Sequence, residues 1–342
     1  GECVPAAEPK AGPAVIRANV AGDAVEEMTL GDYLQGVLRA EMPASFEEEA
    51  LKAQAVCART FACLTTKHLS AYGFDVCSST DCQAYSGIGE ATSATDRAVE
   101  ETAGECLWYR GNLVEAVYHS SDGGATEDAS YVWGSDVGYL KGKVDPYEAK
   151  TTIPNYTYTV TYTPAQLTWV LQNSGYSIGT VRDVYISEYT PLGHVYKVTF
   201  VDSSGKTLTV KGDSARMAFY STTYGKNVRS LNFTISGGSG GSGSYYINGT
   251  SNQRSSLEGA SVISGSGTVS TLSGSLYAIS SGGTTSALSG GGSAAPGDTF
   301  VITGIGNGHH VGMSQYGAKA MAEQGYNYQD ILEFYYTDIT IG

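Results

Sequence analysis

The sequence predicts an α+β fold of mixed, mostly antiparallel sheets, with a few helices lining a groove and a Gly/Ser-rich insertion. Three observations lead there. Short period-two segments such as NYTYTVTYT recur between turn signals. Few helical stretches interrupt them and the crossovers are short, which favours antiparallel pairing over a doubly wound sheet. The composition is rich in Gly, Ser, Thr and Tyr, with 44 glycines, 25 tyrosines and only 16% charged residues. That composition suits an exported β-rich chain better than a cytosolic helical one.

Taken in order, residues 1–14 read as a Pro/Ala-rich lead-in. Ile16–Val20 and Val25–Thr29 read as short strands. Two helices follow in LGDYLQGVLRAEMPASFEEEALKAQAVCARTFACLTTKHL, broken at Glu41-Met42-Pro43. Pro43 cannot continue a helix and pushes Met42 to extended backbone. Ser45 reads as the second N-cap with Glu48 as its capping-box partner. Thr92–Glu101 reads as a further helix capped by Thr92 or Ser93. Glu105–Trp108 and Leu113–His119 read as a hairpin turning at Arg110-Gly111-Asn112.

Beyond it, strands are expected at NYTYTVTYT, Val181–Tyr189, Val195–Val201 and Thr207–Lys211. A helix from Thr163-Pro164 to Leu171 has Thr163 as N-cap. Asp213–Phe219 reads as a short helix capped by Asp213 or Ser214. Residues 236–297 are flanked by linker-like tracts and read as a small β insertion or ordered arm, with disorder as the competing reading. A strand over Asp298–Gly304 and a helix over Ser314–Glu323, closed by Gly325, complete the chain. One domain is therefore expected over 15–235 and 298–342, interrupted by the insertion.

The net charge of −14 argues against nucleic acid or an anionic membrane surface as a partner. No apolar run reaches the ~20 residues of a membrane span. The opening GECVPAAEPKAGPAV reads as a trimmed mature form, with any export signal or membrane anchor upstream. Six cysteines in a chain of exported character suggest disulfides, with 15 connectivities open. Cys57 and Cys63 point in different directions from one helix and cannot bridge while it is intact. Cys77 and Cys82 flank a polar loop and suit either a local disulfide or, with His68 or Asp81, a zinc site.

Lys52 and Arg59 lie two turns apart on one helix face, downstream of a lone acid at a helix junction. Met42 and Pro43 give that acid, Glu41, an apolar setting, which would raise its pKa as a proton donor requires. GIGNGHHVG does not fit a dinucleotide fingerprint, because the spacing is wrong and no βαβ unit surrounds it.

Two strings carry a resemblance. EMPASFEEEALKAQAVCARTFA is similar to the signature helix of the stage II sporulation protein D family, which includes the amidase-enhancer (LytB-like) proteins. GNGHHVGMSQYGAKAMA is similar to that family's closing motif, and DVCSSTDCQAYSG resembles its intervening block. His310 stands where the family usually has Gly, and Asp81 where it often has His.

The resemblance implies an extracytoplasmic lytic transglycosylase that cleaves peptidoglycan glycan strands to 1,6-anhydro ends. Glu41 would serve as general acid and base. Lys52, Gln54 and Arg59 would support the groove, and His119, Ser120, His309 and Gln315 would bind substrate. Lys52 and Arg59 would hold the lactyl carboxylate of muramic acid, and Tyr85, Tyr118 and Tyr316 would offer sugar platforms. No cofactor is required, and some relatives hold zinc at the Cys77–Cys82 block. The alternative implied by the same resemblance is a non-catalytic glycan-binding module that stimulates a cell-wall amidase.

Overall fold

The structure is a computed structural model. It describes residues 15–20, 24–65, 68–79, 81–87, 93–237 and 299–342, with the backbone of six short strands between 245 and 288. The expectations for residues 1–14 and for Thr92 lie outside the described residues.

The chain begins with β1 (Val15–Val20), β2 (Ala24–Thr29), α1 (Leu30–Glu41) and α2 (Glu48–Leu64). A one-turn α3 (Leu69–Tyr72), β3 (Val76–Cys77) and α4 (Ser93–Glu101) follow. Next come β4 (Leu107–Tyr109), β5 (Asn112–Leu113), β6 (Tyr118–His119), α5 (Ala129–Val132) and a 3-10 turn at Glu148–Lys150. The middle of the chain contains β7 (Thr157–Tyr162), α6 (Pro164–Asn173), β8 (Val181–Tyr189), β9 (Val195–Asp202), β10 (Thr207–Lys211), α7 (Asp213–Met217) and β11 (Asn232–Gly237).

Within the insertion, three two-stranded antiparallel hairpins form. They are β12 (Tyr245–Ile247) with β13 (Asn252–Arg254), β14 (Ser261–Ile263) with β15 (Val269–Thr271), and β16 (Leu276–Ile279) with β17 (Thr285–Leu288). The chain ends with β18 (Phe300–Ile305), β19 (Met313–Ser314), α8 (Gln315–Glu323), α9 (Tyr328–Tyr335) and β20 (Thr340–Ile341). The fold class is α+β with small, mostly antiparallel sheets, as the sequence predicts.

Contacts divide the chain into two compact units, where the sequence suggests one interrupted domain. The first comprises residues 1–130, 135–154 and 310–342; the second comprises 131–134 and 155–309.

In the first unit α2 is the central helix. Its alanines at 50, 53, 55, 58 and 62 are buried together with Leu51 and Val56, and small side chains on several faces let other helices approach closely. α1 is amphipathic, burying Tyr33, Leu34, Val37 and Leu38. Thr29 caps it, its hydroxyl accepting from Asp32 N at 3.1 Å. Met42 ends it in extended backbone at φ −137°, as a residue before proline should.

The Ser45 cap does not form. Pro43–Phe46 make a turn closed by Phe46 N to Pro43 O at 3.0 Å, and α2 starts later, from Glu47, without a side-chain cap. The second strand of the expected hairpin is also shorter. Arg110 and Gly111, at φ 51° and 79°, form a two-residue turn whose positive φ values match the strand twist, but β5 stops at Leu113. β6 instead pairs in parallel with β19, aligning Tyr118 with Met313 and His119 with Ser314.

The second unit holds the two three-stranded sheets β10-β9-β8 and β11-β18-β7. Their inner faces bury Tyr162, Val184, Phe200, Phe219, Phe233, Phe300 and Ile302 in one core. Thr163 caps α6 through a complete capping box with Gln166, and Pro164 occupies the first turn. α7 differs from expectation: Gly212 occupies the cap position at φ 60° with no side-chain cap bond.

Candidate functional site

Glu41 closes α1, and its carboxyl is held from three directions. Oε1 accepts from the backbone N of Ala84 at 2.7 Å. Oε2 accepts from Gln315 Nε2 at 3.4 Å. The Tyr118 hydroxyl is also in hydrogen-bond contact with the carboxyl. Burial pushes the pKa of Glu41 above its ordinary value, and these three contacts oppose that rise without cancelling it. Among the described residues, no neighbouring acid contributes to the rise.

The sequence folds this way for traceable reasons. The segment from Gln83 to Ser86 crosses α1 at Gly36. Tyr85 stacks on Tyr33 with ring centroids 5.6 Å apart, and a Cβ on Gly36 would lie 2.2 Å from Tyr85 Cε2. Only glycine admits the ring there, and the same crossing aims Ala84 N at Glu41. Gln83 is buried and tied to Tyr33 and to the Ala58 carbonyl. It also accepts from Tyr118 OH at 3.0 Å.

Gln315 arrives by the parallel β6–β19 pairing. Gly312 makes the approach, at φ 73° and with its Cβ position 2.0 Å from Val117 O. Ser314 caps α8, accepting from Gly317 N at 3.0 Å, and donates to Glu148 Oε1 at 2.6 Å. Glu148 also accepts from the backbone N of Asp122 at 2.6 Å and of Gly123 at 3.0 Å. One buried carboxylate thereby locks the His-Ser loop to the cap of α8. Burial raises the pKa of Glu148, against the hydrogen bonds it accepts. The side chain of Gln315 also donates to Gln54 Oε1 at 3.3 Å. The Nε2 of Gln54 is buried without a hydrogen-bond partner among the described residues.

Residues 19–109 match the family model of the stage II sporulation protein, SpoIID. The match covers about a quarter of the chain. Likeness to characterised proteins runs over most of the chain. It is 30% identical over 322 residues to the "Amidase enhancer" of Bacillus subtilis (strain 168), covering 90% of this chain and 40% of that protein. It is 29% identical over 332 residues to "Stage II sporulation protein D" of the same organism, covering 92% and 75% respectively. It is 28% identical over 333 residues to the protein of that name from Bacillus amyloliquefaciens, covering 93% and 75%. The chain thus spans well under half the length of the amidase enhancer.

Within the matched residues the two cations of α2 are turned to other work. Lys52 is surrounded by Glu48, Glu49 and Glu101 at 3.0, 3.1 and 2.8 Å. Hydrogen bonding to Glu101 and the two other glutamates raises its pKa against partial burial. Arg59 is buried, donating to the Val99 carbonyl at 3.0 Å, Thr102 at 3.3 Å and the Glu105 carbonyl at 3.2 Å. The structure therefore brings Glu41, Gln54 and Gln315 together and ties the charged ends of Lys52 and Arg59 to α4 and the chain just after it. The i, i+7 spacing placed the two on one face but could not say which neighbours that face meets.

His119 is buried with Nδ1 3.2 Å from Val311 O, and the carbonyl of Ser120 accepts from Tyr316 N at 3.0 Å. Both form the floor behind α8. His309 falls in the second unit, its ring 5.0 Å from Trp133. His310 is fully buried at φ 66°, a backbone state that favours glycine and accounts for the family preference there. Tyr118 is partly exposed, with its hydroxyl turned to Glu41 and Gln83. Tyr85 and Tyr316 keep partly exposed rings, the latter 5.3 Å edge-on to Phe46.

Cys77, Cys82, His68 and Asp81 offer donor atoms within 4.8 Å of one another. His68 Nε2 lies 3.1 Å from Asp81 Oδ2. Burial raises the pKa of the Cys77 thiol, but hydrogen bonds involving Ser79 and Cys82 outweigh it and hold the thiol below the usual range. Two sulfurs, an imidazole and a carboxylate form a donor set that zinc accepts.

Sequence reasoning missed Gln83, Ala84 and Glu148. The first two lie inside the intervening block DVCSSTDCQAYSG, but only the crossing at Gly36 brings them to Glu41. The signal available for Glu148 was an acid shortly after VDPY, with nothing local to mark it as buried.

Proposed function

We propose that this protein is a cell-wall enzyme, a lytic transglycosylase that cleaves peptidoglycan glycan strands between MurNAc and GlcNAc. The observation that carries this reading is the part-buried carboxyl of Glu41, raised in pKa by burial and contacted by Ala84, Gln315 and Tyr118. A hydrolase commonly works with two carboxylates. A transglycosylase needs one, because the substrate supplies its own nucleophile. Protonated Glu41 gives its proton to the glycosidic oxygen as the bond to the anomeric carbon breaks. The 6-hydroxyl of the same muramic residue attacks that carbon, and the Glu41 carboxylate takes the hydroxyl proton. The proton count closes, no water is consumed, and a 1,6-anhydro end results.

In this reading Gln315 orients the carboxyl, and Ala84 N stabilises its ionised form between the two transfers. Gln54, buried behind Gln315, accepts from it through Oε1 and backs that amide. The His68, Cys77, Asp81 and Cys82 cluster would hold a zinc ion that pins the loop leading to Gln83 and Ala84, a structural role away from the chemistry. The glycan strands would be the extracytoplasmic partner, stripped of stem peptides.

Peptide-free glycan strands incubated with wild type and with Glu41→Gln, then analysed by mass spectrometry, test this. Anhydromuramic ends from wild type alone are expected. The second reading, favoured by the printed name of the amidase enhancer, is a glycan-binding stimulator of an amidase. Amidase stimulation by both proteins without new anhydro ends would establish it instead.

A further inference from the structure

The end of α2 and the start of β4 are stitched together around two thiols. Leu107 N donates to Thr60 Oγ1 at 2.9 Å, and Arg59 Nη1 donates to the Glu105 carbonyl at 3.2 Å. The residues on either side of Cys106 are thereby fixed to α2 one turn before Cys63, which shares the Thr60 face at i+3. The backbone of Cys106 is held as well, by reciprocal bonds to Gly342 at 3.0 and 3.1 Å. The Cys63 and Cys106 thiols, both free in this structure, lie close enough to interact with each other. Cys63 also lines a surface cleft of about 410 Å³ together with Val15, Arg17, Thr65 and Asp75, so a small oxidant can reach it.

We propose that Cys63 and Cys106 form a disulfide that fastens α2 to β4. The other described cysteines are engaged elsewhere. Cys57 is fully buried, 3.3 Å from Tyr336 OH, while Cys77 and Cys82 belong to the His68 and Asp81 cluster.

The oxidant is a disulfide, either small and soluble like oxidised glutathione or the active-site disulfide of a thiol oxidoreductase. Cys63, at the cleft, gives up its proton to water, attacks the oxidant's disulfide and forms a mixed disulfide with release of one thiol. Cys106 then attacks the Cys63 sulfur, a sulfur–sulfur bond forms between the two residues, and the second thiol leaves. The pair loses two electrons and two protons, and the oxidant gains both. The ring so closed contains Gln83 and Ala84, which hold Tyr118 and Glu41. The redox state of this pair therefore reaches the backing of the carboxyl, whatever that carboxyl does.

The full chain is equilibrated in a mixture of reduced and oxidised glutathione, quenched with acid, alkylated and digested without reduction. The expected mass spectrum contains one cross-linked peptide pair joining Cys63 to Cys106, two hydrogens lighter than the reduced pair, with Cys57 unmodified. Reduction should lower the melting temperature by about 5–10 °C. That drop should vanish in Cys63→Ser and in Cys106→Ser. A glutathione adduct on Cys63 with Cys106 open to alkylation overturns the proposal. So does a cross-link from either cysteine to Cys3, Cys77 or Cys82. The peptide map uses the wild-type chain, so it decides the matter even where a variant folds poorly.

Discussion

Gln315 lies 274 residues downstream of Glu41 in the chain, yet its amide meets the Glu41 carboxyl at 3.4 Å. The contact is long for a charge-assisted hydrogen bond, so it orients the carboxyl more than it stabilises its charge.

Replacing that amide tests its role in positioning. Gln315→Ala should leave the melting temperature close to wild type and slow cleavage of glycan strands about ten-fold, the worth of one hydrogen bond to a charged group. The loss should appear in kcat more than in KM. A loss confined to KM would mean that Gln315 binds sugar and does not steer the acid.

Glu41 itself should leave a signature in stability. Burial raises its pKa, so the folded chain keeps this proton to higher pH than the unfolded chain does. Its contribution to stability is whole below the unfolded value near 4.5 and is lost as pH rises through the folded value. Glu41→Gln removes that titration. The melting temperature of wild type minus that of the variant should therefore decline as pH rises from 4 towards 8. Parallel curves would show that the carboxyl is not perturbed in the fold. Activity of the wild type should fall on the alkaline side of the same transition.

At Gly36 the prediction concerns packing. A methyl group there would meet Tyr85 at 2.2 Å, so Gly36→Ala should destabilise by about 1–3 kcal/mol in urea unfolding. Pairing it with Tyr85→Leu should recover part of the loss. If the two costs simply add, the crossing of α1 by the Gln83–Ser86 segment is wrong.

For Lys52 the expected outcome is structural. Lys52→Met leaves Glu48, Glu49 and Glu101 facing one another, costing about 1 kcal/mol after allowance for their partial exposure. Added salt should shrink the difference. A tenfold rise in KM with unchanged stability would instead return Lys52 to the substrate.

The donor cluster makes a metal prediction. Protein desalted without chelator should carry about one zinc per chain by elemental analysis, lost in Cys77→Ser and in Cys82→Ser. A peptide cross-linked between Cys77 and Cys82, with no metal, would replace the zinc site by a disulfide.

Much of this was legible in the chain. The break at Glu41-Met42-Pro43, the Thr163 cap and the β8–β9–β10 meander rest on local rules, and local rules are what a sequence displays. The Ser45 cap failed because Pro43–Phe46 closed a turn first. β6 left its expected hairpin because pairing with β19, almost two hundred residues away, displaced the local alternative. The fates of Lys52 and Arg59 were set by α4 and the chain that follows it, and no periodicity within α2 could name those neighbours. What stayed hidden was long-range partnership, and the carboxyl of Glu41 is assembled almost wholly from it.

The parallel pairing of β6 with β19 also sets an order in time. During synthesis α1 emerges long before Gln315 exists, and the cap on Ser314 cannot close on Glu148 until the last helices have left the ribosome. A nascent or prematurely released chain therefore carries its acid without the amide that aims it. The site is thus complete only once both strands of that pair have been made.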